Sequence, residues 1–234
     1  MLPVLEGLKK TALDLLFPLR CIQCGKEGSL ICPGCQQQLS WIEKPVCHFC
    51  GVDKTLDSPC TSCPVFHPVI DGVRAPFRFE STIRSAVHRL KYRNLRAMAA
   101  PLAAFMADYL SENPLPHDII IPVPLHSKKL RERGYNQSEL LAKELGRLTT
   151  VPVVKGCLIR HRHTPAQAMT KSIEERHRNL TGAFTCKNDS VRGRKILLID
   201  DVATSCATLD ACAAALKSAG AVSVWGLTLA RDIR

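Results

Sequence analysis

The sequence predicts an α/β protein built on a mainly parallel sheet and preceded by a small cysteine-rich module. Short apolar runs alternate with stretches of helical periodicity, the pattern of strands joined through crossover helices. One of those runs, Ile196-Leu-Leu-Ile199, ends in paired carboxylates, Asp200 and Asp201, and leads through a hydroxyl-rich loop into a helix. Eight of the 12 cysteines lie between Cys21 and Cys63, as four C-x-x-C pairs. A hydrophobic fraction of 46% with 23% charged residues excludes wholesale disorder.

At the N-terminus, Leu5, Leu8, Ala12, Leu15 and Leu16 keep the spacing of a short amphipathic helix ending near Pro18. Glu6, Lys9, Lys10 and Asp14 interrupt it, so it lacks the apolar stretch of an export signal. No run approaches the roughly 18 apolar residues of a membrane span. The expectation is a cytoplasmic protein with reduced thiols and no membrane insertion.

The four pairs are Cys21/Cys24, Cys32/Cys35, Cys47/Cys50 and Cys60/Cys63. A C-x-x-C turn presents two sulfurs from one tight loop, and zinc takes four thiolates in a tetrahedron, so four pairs make two sites. The simplest pairing is sequential, Cys21, Cys24, Cys32 and Cys35 for one zinc and Cys47, Cys50, Cys60 and Cys63 for the other. An interleaved cross-brace satisfies the same spacing. A redox C-x-x-C expects a βαβ context that is missing here. Closed four-cysteine sites are structural, so no catalysis is assigned to this zinc. His48 and His67 flank the module and are expected at the surface.

Residues 1–66 hold six basic and six acidic side chains, so the whole formal charge of +11 belongs to residues 67–234. Cysteine and charge patterns change together near Pro64 to Pro68. We place a boundary there, between a zinc module of residues 1–66 and a larger domain of residues 67–234. A segment of the first size buries too little apolar surface to fold unaided, and metal is the available staple.

In the second part, Val73–Phe79 reads as a strand and Thr82–Leu90 and Ala97–Leu110 as helices, separated by the basic loop Lys91–Asn94. Ile119–Val123 is a continuous apolar run suited to a buried parallel strand. Asn136-Gln-Ser-Glu139 reads as a capping box, with Leu141, Leu145 and Leu148 facing the core of the helix it starts. Val151–Val154 reads as a strand, and Lys195–Ile199 as the clearest one. Thr208, Cys212, Ala215 and Leu216 keep helical spacing, with Gly220 placed to end that helix. Val222–Leu229 is the last strand.

Asp200 and Asp201 stand at the carboxyl end of a buried strand, where α/β sheets bind ligands. Thr204, Ser205 and Thr208 line the approach to a helix N-terminus, which offers N–H groups and a positive dipole end to phosphate. The two carboxylates suit sugar hydroxyls or, through water, Mg²⁺. No G-x-x-x-x-G-K-[ST] or G-x-G-x-x-G accompanies them, which excludes a Walker pair or a dinucleotide fingerprint. A phosphorylated sugar is the ligand class that fits.

Ile199-Asp-Asp-Val-Ala-Thr-Ser-Cys-Ala-Thr208 resembles the phosphoribosyl-pyrophosphate (PRPP) motif of type I phosphoribosyltransferases. Arg131-Glu-Arg-Gly-Tyr-Asn-Gln137, with the trail Arg162, Thr164, Gln167, Arg176, Asn179, Ala183 and Phe184, resembles the competence protein F (ComF/GntX) branch of that fold, which also carries an N-terminal cysteine-rich zinc module. The resemblance implies a type I phosphoribosyltransferase-like, mainly parallel sheet. It implies that Asp200 and Asp201 contact ribose hydroxyls and the metal shell, and that Thr204, Ser205, Cys206, Ala207 and Thr208 cradle the 5′-phosphate. Lys128, Lys129, Arg131, Arg133 and Gly134 lie where the fold places its pyrophosphate loop. Arg162, Thr164, Gln167, Arg176 and Asn179 lie where it places a mobile lid, with Arg178 beside them. The motif usually has Gly where this chain has Cys206, and a Cβ there demands a strained φ. At a helix N-terminus that thiol is also expected to acidify.

The same resemblance implies a part in natural transformation, handling single-stranded DNA in the cytosol alongside a helicase-like partner. Arg74, Arg78, Arg84, Arg89, Lys91, Arg93 and Arg96 face one acid, Glu80, over the same stretch, and such a cluster suits a polyanion. Tyr92 between Lys91 and Arg93 is a ring for base stacking, whereas Phe77 and Phe79 belong to the strand core. Arg89, Lys91, Tyr92 and Arg93 are the candidate nucleic-acid residues. A phosphoribosyltransferase turning over PRPP with Mg²⁺ and a nitrogenous acceptor is the alternative function, and a PRPP-sensing regulator a third.

Overall fold

The computed structural model describes residues 18–52, 60, 63, 68–161, 179–180, 182–187 and 189–233. The expected N-terminal helix, His67, and Arg162, Thr164, Gln167, Arg176 and Arg178 of the expected lid lie outside these residues. The strands are β1 (Gly72–Arg74), β2 (Phe77–Arg78), β3 (Ile119–Pro122), β4 (Leu158–Arg160), β5 (Phe184–Cys186), β6 (Lys195–Ala203) and β7 (Ser223–Arg231). The helices are α1 (Pro33–Gln36), α2 (Ser81–Tyr92), α3 (Ala99–Glu112), α4 (Ser127–Arg133), α5 (Gln137–Thr149) and α6 (Ala207–Ser218).

β6 is central. It pairs with β3 on one side and β7 on the other, β1 and β2 both pair with β7, and all of these pairings are parallel. Period-2 geometry sends Leu197, Ile199, Leu227 and Leu229 into one core with α3 and α5, and Ile196, Leu198 and Val224 into another with α6. Because both faces are covered, the strands are apolar throughout instead of alternating with polar residues. Each fully buried Leu or Ile contributes about 1.5–3 kcal/mol. The mainly parallel α/β sheet expected from the sequence is therefore present.

Chemistry local to the backbone explains where the elements differ from expectation. The strand expected over Val73–Phe79 is two strands, because Pro76 has no N–H for the ladder; its carbonyl accepts from Ile42 N instead, at 2.9 Å. Val151–Val154 is a single parallel bridge to Ile120, with Pro152 again short of a donor. Leu141 and Leu145 are fully buried, but Leu148 is 42% exposed on the outer face of α5. Asn136 caps that helix through Ser138 N at 3.1 Å, while Glu139 pairs with Lys155 at 2.7 Å and does not close the box. The basic segment expected as a pyrophosphate loop, Lys128–Gly134, is mostly helix α4, ended by Gly134 in the left-handed region. The antiparallel ribbon of β4 and β5 had no signal in the sequence.

The expected boundary near Pro64 to Pro68 lies almost wholly outside the described residues. On either side of it the chain packs continuously. Trp41 stacks on Phe77 at 4.5 Å, and Arg78 N donates to Ser40 O at 2.9 Å. Gly51, at φ 67°, lies so close to β1 that a Cβ there would sit 2.3 Å from the Val73 carbonyl oxygen.

Candidate functional site

The cysteines gather sequentially, Cys21, Cys24, Cys32 and Cys35 in one group and Cys47, Cys50, Cys60 and Cys63 in the other, with ligand atoms within 4.8 Å of one another. Burial pushes the Cys21 thiol up, but backbone N–H groups of Cys24, Cys32 and Gln23 outweigh it and bring it down to about 6. Cys47 falls to about 7, where the Cys50 N–H and Cys63 thiol overcome burial. Four thiols converging within bonding reach of one ion are the donor set of structural zinc, and both groups fit it.

The candidate crevice lies at the carboxyl ends of β3 and β6. From β3 the chain leaves through α5 toward Val153, and from β6 it leaves through α6 toward β7, so the two connections diverge at the switch point where α/β sheets bind ligands. Asp200, Thr204, Cys206, Ala207 and Thr208 line a shallow, narrow depression at the start of α6. Ser205 Oγ is buried there with no partner among the described residues. Ser138 Oγ, from the first turn of α5, donates to Asp200 Oδ1 at 2.7 Å.

The two carboxylates are not equivalent. Asp201 is 3% exposed and ion-paired with Lys91 Nζ at 2.8 Å. Burial lowers Lys91, but the Asp201 carboxylate outweighs it and holds the ammonium above its usual range. Asp200 is pushed up to about 6 by burial and by the neighbouring Asp201 charge. Lys91, expected on the nucleic-acid face, is thus turned into the crevice. Lys129 meets the charges of Arg160, Arg133 and Lys91, which together with burial lower its pKa. These four cations surround two acids, an arrangement suited to a diphosphate. Lys128 and Arg131 stand exposed on α4.

This ion pair also decides the fit for Mg²⁺. Asp201 Oδ2 faces an ammonium, and Asp200 Oδ1 accepts from Ser138 and from the Asp201 amide. The acid pair is neutralised from within and does not form a resident Mg²⁺ site.

Cys206 is the N-cap of α6 at φ 60°, the left-handed strain expected of a side chain where the motif has Gly. Its thiol is not acidified: burial pushes it up, against the pull of Arg231. The sulfur packs with Cys60, Cys63 and Ile233 around Cys47, Cys50 and Val52. Arg231, 2% exposed, donates from Nη1 to the Thr204 carbonyl.

On the outer face of α2, Arg84, Ser85, His88, Arg89 and Arg93 line an open depression. Tyr92 is 65% exposed beside it, with the Arg133 guanidinium 5.4 Å from its ring centre. Phe77 is fully buried, as expected. Of the expected lid, Asn179 is described and is exposed.

Sequence reasoning missed Ser138 and Arg231 as site residues and placed Arg160 only at the start of the expected lid. Ser138 was hidden inside the capping pattern. Arg160 and Arg231 end strands, and nothing in their neighbours' residue types marks them.

Residues 12–64 match the double zinc ribbon domain family. The chain is 29% identical over 230 residues to competence protein F of Haemophilus influenzae, covering 92% of this chain and 98% of that protein. It is 30% identical over 206 residues to the DNA utilization protein YhgH of Escherichia coli K12, covering 84% and 89%. Among solved structures, glutamine PRPP amidotransferase from B. subtilis overlaps 56% of this chain and 26% of its own, at 18% identity and TM-score 0.39, an overlap too loose to add to the topology above.

Proposed function

The chain belongs to the competence protein F (ComF/GntX) family, and from that membership we propose that it handles incoming single-stranded DNA in the cytosol during natural transformation, alongside a helicase-like partner. The crevice at the start of α6 binds PRPP or a related sugar phosphate. Any Mg²⁺ arrives with the diphosphate of that ligand.

The observation that carries the DNA reading is the exposed α2 face, where Arg84, Arg89 and Arg93 flank the open ring of Tyr92. Arginines there contact phosphates and the tyrosine stacks a base, which gives affinity without sequence preference. In the crevice, amide groups at the start of α6, Ser205 Oγ and Thr208 hold the 5′-phosphate, and Asp200 accepts from ribose hydroxyls. Lys129, Arg133 and Arg160 meet the diphosphate. Among the described residues the site presents four cations, Lys91 included, which favours holding a diphosphate.

A salt series of oligothymidylate binding by fluorescence anisotropy tests this. Wild type is expected to bind with a steep salt slope, and Arg89→Glu with Arg93→Glu to flatten it by about 0.7 per lost phosphate contact. Tyr92→Ala is expected to weaken binding by about 1–3 kcal/mol. Salt-independent or absent binding overturns the DNA reading. Pyrophosphate release from PRPP with any nucleobase, abolished by Asp200→Asn, would replace it with the transferase reading.

A further inference from the structure

Arg231 is a charged side chain buried to 2% exposure at the end of β7, and the binding roles above leave it unused. Nη1 donates to the carbonyl of Thr204, in the middle of the phosphate loop, and Nε has no hydrogen-bond partner among the described residues. The backbone on either side is tied to the same loop edge: Ala203 registers with Arg231, and Asp232 N donates to Ala203 O at 2.9 Å. On its other side lies the second cysteine cluster, against which Cys206 and Ile233, two residues beyond Arg231, both pack. A guanidinium buried this deeply needs a counter-charge. A zinc ion held by four thiolates is formally a dianion, and it supplies one where the structure places Cys47, Cys50, Cys60 and Cys63.

We propose that Arg231 is the positioning residue through which the second zinc site holds the phosphate loop, so that anion affinity depends on the second zinc and not on the first. The proposal rests on the reading of the loop as an anion site. Cys206, at the start of α6, packs on the same cluster and so brings the loop against the second site. Arg231 does not touch the ligand. It acts through the Thr204 carbonyl, with its charge set against the zinc centre.

The test uses the full chain loaded with two zinc ions and ribose 5-phosphate as probe. Linkage is reciprocal, so ribose 5-phosphate should raise the zinc affinity of one of the two sites several-fold in a chelator competition. Cys60→Ser, which disables the second site, should weaken ribose 5-phosphate about ten-fold by calorimetry. Cys24→Ser, which disables the first, should change it less than about two-fold at a temperature where circular dichroism shows the variant folded. Arg231→Met should weaken ribose 5-phosphate and second-site zinc alike by about ten-fold, and Arg231→Lys, which keeps the charge, should recover most of the zinc affinity. Equal effects of the two cysteine variants, or Arg231→Met with both affinities intact, overturn the proposal. Wild type that fails to bind ribose 5-phosphate overturns the loop reading itself, and the coupling with it.

Discussion

The first cysteine cluster sits in an apolar wall: Cys21, Cys32 and Cys35 pack with Ile31 and Leu39 into the core that holds Phe77, Ile83 and Leu90. The second sits against the candidate site, with Cys206 at the start of α6 and Ile233 closing over Cys47, Cys50 and Val52. Ligand type and pairing are the same in both. What differs is what each cluster leans on, so two structural zincs of one module are expected to govern different properties: the first the stability of the main core, the second the shape of the crevice.

The largest expected effect follows from the first. Cys32→Ser loosens that zinc and opens the core beside it, and thermal melting should fall by about 10 °C or more. A shift below about 2 °C would break the comparison. Next comes Lys91, near the end of α2, whose ammonium pairs with Asp201. Lys91→Met leaves the buried Asp201 carboxylate uncompensated and should cost about 3 kcal/mol in denaturant unfolding, while adding Asp201→Asn should recover most of it. A double variant as unstable as the single one would contradict the pairing.

Asp200 sharpens the contrast through pH. Its folded pKa, raised to about 6, lies above its unfolded value, so its contribution to stability is present below about pH 4 and lost as pH rises through 6. Asp200→Asn should therefore melt higher than wild type at pH 8, with the gain shrinking as pH falls from 6 to 4. A gain that grows on acidification would reverse the sign. The smallest effect belongs to Cys206→Gly, which relieves a side chain held at φ 60° and should strengthen PRPP binding a few-fold. Equal or weaker binding by calorimetry would assign the sulfur contact the larger share.

Periodicity made the sheet and its main helices legible, because strands buried on both faces carry unbroken apolar runs such as Ile119–Ile121 and Ile196–Ile199. Cysteine spacing made both zinc clusters legible, since a tight loop fixes two ligands locally. Local rules misplaced what depends on neighbours. Pro76 and Pro152 broke expected strands by lacking a donor, and Leu148 was drawn toward the core by spacing alone. In the crevice, the acids and hydroxyls were legible as one segment. Lys91 was not, because its charge read as part of a polyanion-binding face and only α2 packing turns it to Asp201. Arg231 and Arg160 reach the site from strand ends distant in sequence, and no spacing rule joins them to the loop.

The most direct test of the account is a calorimetric titration of PRPP into the two-zinc protein, compared with Ser205→Ala and Thr208→Val. The account predicts one saturable site per chain, weakened by roughly ten-fold in each variant and unchanged in Tyr92→Ala. Absence of saturable heat in the wild type, or binding that both loop variants leave intact, would contradict it.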